Sequence, residues 1–297
     1  MHKRLRLLLA LCAWLAWGQA AAALAVTDDR GISVALPAPP RRVVSLVPVA
    51  TEIVCELGAC ARLVGVDDYS NWPPETQRLP HVGGLEDANV ERIVALKPDI
   101  VLLAMASRVG QRLQALGIPV LALETKTLQD MGRVTGTLAA VLGLPDAPGA
   151  AAALLQRIDE GVNQAAASVA RERRGQTVYF EVSSGPYAAS EQSFIGQTLA
   201  RLGAVNVVPG SLGPFPKLNP EFVVRADPQV IFISARSAAD LATRPGWPAI
   251  RALRDRRVCS FDAAQGDMLV RPGPRMVQAA QLMARCLNAG AAPAAAR

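Results

Sequence analysis

The chain has 297 residues, 51% of them hydrophobic but only 4% aromatic, with 31 Lys and Arg against 25 Asp and Glu. The first 25 residues hold three of those cations and none of the acids, leaving 28 against 25. So mild an excess, without long basic runs and with few aromatics, argues against a nucleic-acid partner. About 272 residues follow that segment, enough for two domains of ordinary size.

Residues 1–25 read as a cleavable export signal. His2, Lys3, Arg4 and Arg6 make a positive start, residues 7–17 an apolar core, and Ala23-Leu24-Ala25 a small-x-small cleavage site. The core is too short to span a bilayer. Cys12 follows Leu11 inside it, without the small residue that a lipidation site needs before its cysteine. No later stretch approaches 18 uninterrupted apolar residues, so the mature protein is expected to be exported and soluble.

A turn at residues 27–31 leads into a short edge strand at 32–36, and Pro37, Pro39 and Pro40 break the chain. Residues 42–46 form a buried strand, Pro48 opens a helix ending at Gly58, and 63–66 form another strand. The loop Asp67-Asp68-Tyr69-Ser70-Asn71-Trp72-Pro73-Pro74 is too polar and proline-rich for a helix or a central strand. A helix at 111–116 and a strand at 120–123 continue the alternation, which implies a parallel, doubly wound sheet. Residues 150–171 are alanine-rich, with Leu154, Leu155, Ile158 and Val162 at helical spacing. A helix that long exceeds what one short strand needs as cover, and it reads as a rigid strut between two lobes; a flexible linker would carry Gly and Ser instead. The second lobe opens with a strand at 177–182 and closes with a helix at 274–288, and residues 289–297 are expected to fray.

Two stretches repeat one plan 130 residues apart. Asn89-Val90-Glu91-Arg92-Ile93-Val94-Ala95-Leu96-Lys97-Pro98-Asp99 precedes the apolar run 100–103. Asn219-Pro220-Glu221-Phe222-Val223-Val224-Arg225-Ala226-Asp227-Pro228-Gln229 precedes 230–233. Each reads as an Asn cap, a short helix with a glutamate in its first turn, a proline stop and a buried strand. The expected organisation is therefore a signal at 1–25, an N-terminal lobe at 26–147, a bridging helix at 148–173 and a C-terminal lobe at 174–297.

Catalytic signatures are absent. His81 is the single histidine after the signal, so a three-histidine metal site is impossible, and no G-x-S-x-G, H-E-x-x-H, C-x-x-C or P-loop occurs. Binding is favoured over catalysis; the alternative of a different class is an exported hydrolase using His81 and a serine such as Ser107. Cys55, Cys60, Cys259 and Cys286 enter an oxidising compartment, where Cys259–Cys286 is the preferred disulfide and buried free thiols are the alternative.

In this order, Arg42-Val43-Val44-Ser45-Leu46 with Pro48 and Thr51-Glu52, the loop 69–74, the two repeat copies, the long middle helix and Arg271-Pro272-Gly273-Pro274-Arg275 carry a family resemblance. The chain resembles the substrate-binding proteins of the cobalamin and iron-siderophore class, which serve ATP-binding-cassette importers, over nearly all of 26–288. The resemblance implies two Rossmann-like α/β lobes joined by a single long rigid helix, with ligand between them, in a periplasmic monomer. The cobalamin-binding members look most similar. Their cleft aromatics map onto Tyr69, Tyr187 and Phe215, and their polar contacts onto Asp267 and Arg271. A corrin presents a broad apolar face rimmed by amides, which suits aromatic rings and a few hydrogen-bonding side chains. The corrinoid is then a transported ligand, and no cofactor or metal is implied.

Leu85 and Ala104 depart from the pattern, standing where a close cobalamin binder carries tryptophan. A ferric siderophore, with Arg108, Arg236 and Arg271 as candidate contacts, is the next ligand. Haem, with Tyr69, Tyr187 or His81 as axial ligand, is the third. The resemblance also implies that Glu91 and Glu221 dock the two lobes onto arginines of an inner-membrane permease–ATPase complex.

Overall fold

Residues 24–290 are described by a computed structural model. Residues 1–23 of the signal expected at 1–25, and the tail 291–297, lie outside the described residues, while the last two residues of that signal, Leu24 and Ala25, begin the first strand. Leu24–Thr27 (β1) pairs antiparallel with Ser33–Leu36 (β2), Leu24 facing Leu36 and Ala25 facing Ala35. The expected edge strand is thus half of a separate hairpin. Asp28 closes its turn, accepting hydrogen bonds from the backbone N–H groups of Arg30 and Ile32 at 2.9 and 3.0 Å.

Val43–Ser45 (β3), Leu63–Val66 (β4), Ile100–Ala104 (β5) and Val120–Leu123 (β6) form an all-parallel sheet in the order β4-β3-β5-β6. Thr177–Ser183 (β7), Val230–Ser234 (β10) and Val258–Phe261 (β11) form the parallel heart of a second sheet. Tyr187–Ala188 (β8) lies antiparallel to β7, and Val205–Asn206 (β9) parallel to it. Short apolar, β-branched runs covered on both faces favour this parallel arrangement.

Alternation along these strands divides the interior into three cores. Ile100, Leu102, Leu121 and Leu123 point toward the centre of the molecule, as do Val178, Phe180, Val230 and Phe232 of the second sheet, and all belong to one continuous cluster. Val101, Leu103, Val120 and Ala122 face an outer core with Val90, Ile93 and Leu113. Tyr179, Ile231 and Ile233 face another with Val223 and the fully buried Trp247. The two sheets therefore share their central core and keep only the outer ones apart.

Helices fill that shared core. The long helix runs Ala147–Ala167, 21 residues or roughly 32 Å. It packs its Leu154, Ile158, Val162 and Ala165 face against the helices Leu128–Val141 and Met276–Asn288. Asp146 caps its start, accepting from the Gly149 N–H at 3.0 Å. It stops six residues short of the expected position 173. Asn288 ties off the end, accepting from the Ala170 N–H at 2.9 Å and donating to the Ser168 carbonyl at 2.8 Å. The helix Leu128–Val141 was not expected from sequence, because Gly132 and Gly136 dilute its apolar stripe, although a Thr127–Asp130 capping box marks its start. Cys259 and Cys286 are bonded as preferred, and Cys55 with Cys60 forms a second disulfide.

Both repeat copies fold alike. Asn89 accepts from the Arg92 N–H at 2.8 Å to open Val90–Ala95, and Asn219 from the Glu221 N–H at 3.0 Å to open Pro220–Ala226. Lys97 and Asp227, each just before its proline, adopt left-handed backbone with φ of 46° and 42°.

Candidate functional site

The carboxyl ends of the parallel strands in both sheets face one cleft, where open α/β sheets place ligands. The cleft measures about 620 Å³ and takes Leu46, Val47, Tyr69, Leu85, Ala104 and Thr125 from the first lobe and Val182, Phe194, Phe215, Val270 and Arg271 from the second. A smaller hollow of about 370 Å³ adjoins it through Val182, Asp267 and Val270, over the ends of β7, β10 and β11, where Arg236 and Asp262 also line it.

The expected ligand residues divide into three groups. Tyr69 and Phe215 line the cleft. Tyr69 leaves 62% of its surface exposed, and Phe215 packs edge-to-face on Phe194 with centroids 5.9 Å apart. Tyr187 does not reach the lining. Two-residue β8 folds its ring back over Gly185, where an added Cβ would come within 3.1 Å of it.

Asp267 and Arg271 line the cleft but are tied into a charge cluster at its floor. One terminal nitrogen of Arg271 donates to Glu52 Oε1 at 3.2 Å and Asn71 Oδ1 at 2.8 Å, and the other donates to the Tyr69 carbonyl at 2.9 Å and lies 3.1 Å from Asp267 Oδ2. Asn71 Nδ2 donates to the same Asp267 oxygen at 2.7 Å. Glu52, fully buried, also accepts two hydrogen bonds from Arg275, at 2.9 and 2.6 Å, a bidentate pairing that the planar guanidinium favours. Arg275 stacks over Trp72 at 5.3 Å. Gly273 allows the chain between the two arginines to approach the first lobe, since a Cβ there would meet Val49 at 2.8 Å.

Sequence reasoning quoted Thr51-Glu52 and 271–275 as motifs but missed Glu52, Asn71 and Arg275 as partners. Their separations, 219 residues for Glu52 and Arg271, carry no local signal. Beside them a buried hydroxyl chain links Ser45, Thr51 and Ser70, each step 2.9 Å, and ends on Asp67, which accepts from Ser70. Burial pushes the Asp67 carboxyl above its ordinary value near 3.8, opposed by the Ser70 hydroxyl, the Tyr69 N–H and the Arg271 charge.

The two repeat glutamates stand out from the surface. Glu91 and Glu221 have 79% and 77% of their side chains exposed, with Arg112 and Arg225 at 3.7 and 3.9 Å. Contacts that open to solvent hold these carboxylates weakly. His81 Nδ1 lies 3.6 Å from Asp68, and among the described residues no serine hydroxyl hydrogen-bonds to it. Of the residues weighed for a ferric chelate, Arg108 is exposed beside Glu86 at 3.8 Å, away from the cleft lining, and Arg236 lines the smaller hollow. Among the described residues no group of three or more His, Cys, Asp or Glu is placed to hold a metal ion.

The chain is similar to the vitamin B12-binding protein of Pectobacterium atrosepticum, 30% identical over 247 residues that cover 82% of this chain and 86% of that one. The crystal structure of the periplasmic vitamin B12 binding protein of Vibrio cholerae superposes with a TM-score of 0.67 at 27% identity, covering 84% of this chain and 97% of that one. A periplasmic heme binding protein from Pseudomonas aeruginosa superposes with a TM-score of 0.72 at 25% identity, covering 84% and 94%. A family profile described as periplasmic binding protein matches residues 43–264, three quarters of the sequence. The chain belongs to the periplasmic binding protein family.

Proposed function

We propose that this protein captures a corrinoid of the cobalamin type in the periplasm, as a monomer, and delivers it to an ATP-binding-cassette importer. The observation that carries this reading is the broad cleft, open to solvent, with the rings of Tyr69 and Phe215 on opposite lobes and a mainly apolar lining to which Asp67, Thr125, Asp267 and Arg271 add polar groups. A large flat ring system with amide-bearing edges fits such a surface better than a small polar solute does. The names of the relatives, vitamin B12-binding proteins, support the same class. Leu85 and Ala104 both line the cleft, so the positions that depart from the cobalamin-binding pattern bear directly on ligand fit. Their smaller side chains leave room that a tryptophan would fill.

In this reading residues 26–147 and 174–290 act as two lobes braced by the long helix, and closure around ligand is small because the lobes share a core. Glu91 and Glu221, exposed at matching places in the two repeats, meet arginines of the permease. Calorimetric titration of the purified protein with cyanocobalamin, haemin and a ferric siderophore panel tests the ligand. One saturable site for cyanocobalamin is expected. Saturable haemin binding with a tyrosinate-type spectrum, or siderophore binding, without corrinoid heat would replace the corrinoid with that ligand.

A further inference from the structure

Arg271 is the side chain that family resemblance sets against the ligand, yet its guanidinium is engaged by the protein itself. Only 8% of the side chain is exposed, and the fork meets Glu52, Asn71, the Tyr69 carbonyl and Asp267 between 2.8 and 3.2 Å. Five N–H donors in a fixed plane leave little to offer a further partner. Two of these four partners, Asn71 and the Tyr69 carbonyl, belong to the loop that presents Tyr69, and a third, Asp267, accepts from Asn71. The first lobe fastens that loop at its base, where the Asp67 and Asp68 N–H groups donate to the Ser45 and Gly83 carbonyls at 2.9 and 3.1 Å and the Ser70 hydroxyl meets Thr51 at 2.9 Å, while Tyr69 stands 62% exposed. From the second lobe, Arg271 grips the Tyr69 carbonyl directly, and Asn71 bridges Arg271 to Asp267 through both ends of its amide.

We propose that Arg271 is a positioning residue: with Asn71 and Asp267 it clasps the Tyr69 loop of the first lobe to the second lobe and so aims the Tyr69 ring into the cleft. The clasp acts on ligand through Tyr69 and not by contact of its own. The inference deepens the corrinoid reading and rests on it for the identity of the ligand, but not for the clasp. Glu52 serves a different end. It keeps two hydrogen bonds from Arg275 when Arg271 is removed, so loss of Arg271 does not strand a buried carboxylate.

Two measurements on the full mature protein test the clasp. After the signal the chain holds two tryptophans, Trp247, which is fully buried, and Trp72, which is 41% exposed on the clasped loop. Acrylamide quenching of unliganded protein therefore reports on Trp72. Arg271→Met is expected to raise the quenching constant about twofold, because the loop loses its grip on the second lobe. An unchanged constant overturns the clasp. The second measurement is cyanocobalamin affinity in two backgrounds. Arg271→Met should weaken it about tenfold in the parent, the scale of one lost charge-assisted hydrogen bond, and less than about twofold in Tyr69→Ala. Equal losses in both backgrounds would show direct contact and overturn the proposal. Asn71→Ala, which leaves the Glu52–Arg271 pair in place, must reproduce both results and serves if Arg271→Met does not fold. If the parent itself shows no saturable corrinoid binding, the corrinoid reading fails while the quenching result still decides the clasp.

Discussion

Gly161 sets how closely the long helix approaches the last helix of the chain. It lies on the buried face of Ala147–Ala167, and a Cβ added there would stand 2.5 and 2.6 Å from the two methyls of Val277 and 3.1 Å from its Cβ. Alanine in a helix interior is worth about 1 kcal/mol over glycine. Against that, overpacking a fitted contact costs about 1–3 kcal/mol, and Val277 has nowhere to swing because a β-branched residue in a helix is held to one rotamer. Gly161→Ala should therefore destabilise by about 1 kcal/mol net, through separation of the two helices. The control is Gly136→Ala in Leu128–Val141, where nothing lies within 4 Å of the new Cβ, and a gain of about 1 kcal/mol is expected. Urea denaturation of both variants, and of Gly161→Ala with Val277→Ala, decides the matter. Val277→Ala alone should lower stability and in the Gly161→Ala background should raise it. A stabilising Gly161→Ala, or the same loss from Val277→Ala in both backgrounds, would refute the close packing of strut on lobe.

Three further outcomes are expected. Asp67, whose carboxyl burial raises above its ordinary value, contributes stability fully present below the unfolded-state value near 3.8 and lost as pH climbs through the folded value. Asp67→Asn should thus gain on the parent in thermal melts as pH rises from acid to neutral, and a gap that stays constant or reverses would contradict that sign. Replacing Cys259 and Cys286 by serine should cost roughly 3.5 kcal/mol in non-reducing urea melts, given their separation of 27 residues, against about 2 for Cys55 and Cys60, separated by 5. The reverse order would rule out loop entropy as the main cause. Glu91→Ala and Glu221→Ala should leave ligand titrations unchanged while each weakens permease pull-down and uptake about tenfold, the double variant most. Normal uptake in the double variant would leave both glutamates as helix-dipole partners only.

The alternation of strands and helices, the caps at Asn89 and Asn219, and the proline stops at Pro98 and Pro228 were legible in sequence because each is a local rule, satisfied within a turn or two of chain. The same holds for the long helix, whereas Tyr69 and Phe215, which line the cleft, were reached through the family resemblance and by no local rule. Leu128–Val141 escaped because glycines broke its periodicity, although its capping box was there to be found.

What lies beyond local rules came only from the tertiary structure. The end of the long helix at Ala167 depends on Asn288, well over a hundred residues away, and the seating of the Tyr187 ring over Gly185 depends on how β8 leaves β7. Whether the two lobes would own separate interiors or share one was decided by which alternate residues of each sheet face the strut. Most of all, the burial of Arg271 at the edge of the cleft required Glu52, Asn71 and Tyr69 to arrive from the other lobe. A one-dimensional pattern records which charges a chain carries, but the partners of a buried charge are chosen by desolvation and geometry once the chain has folded.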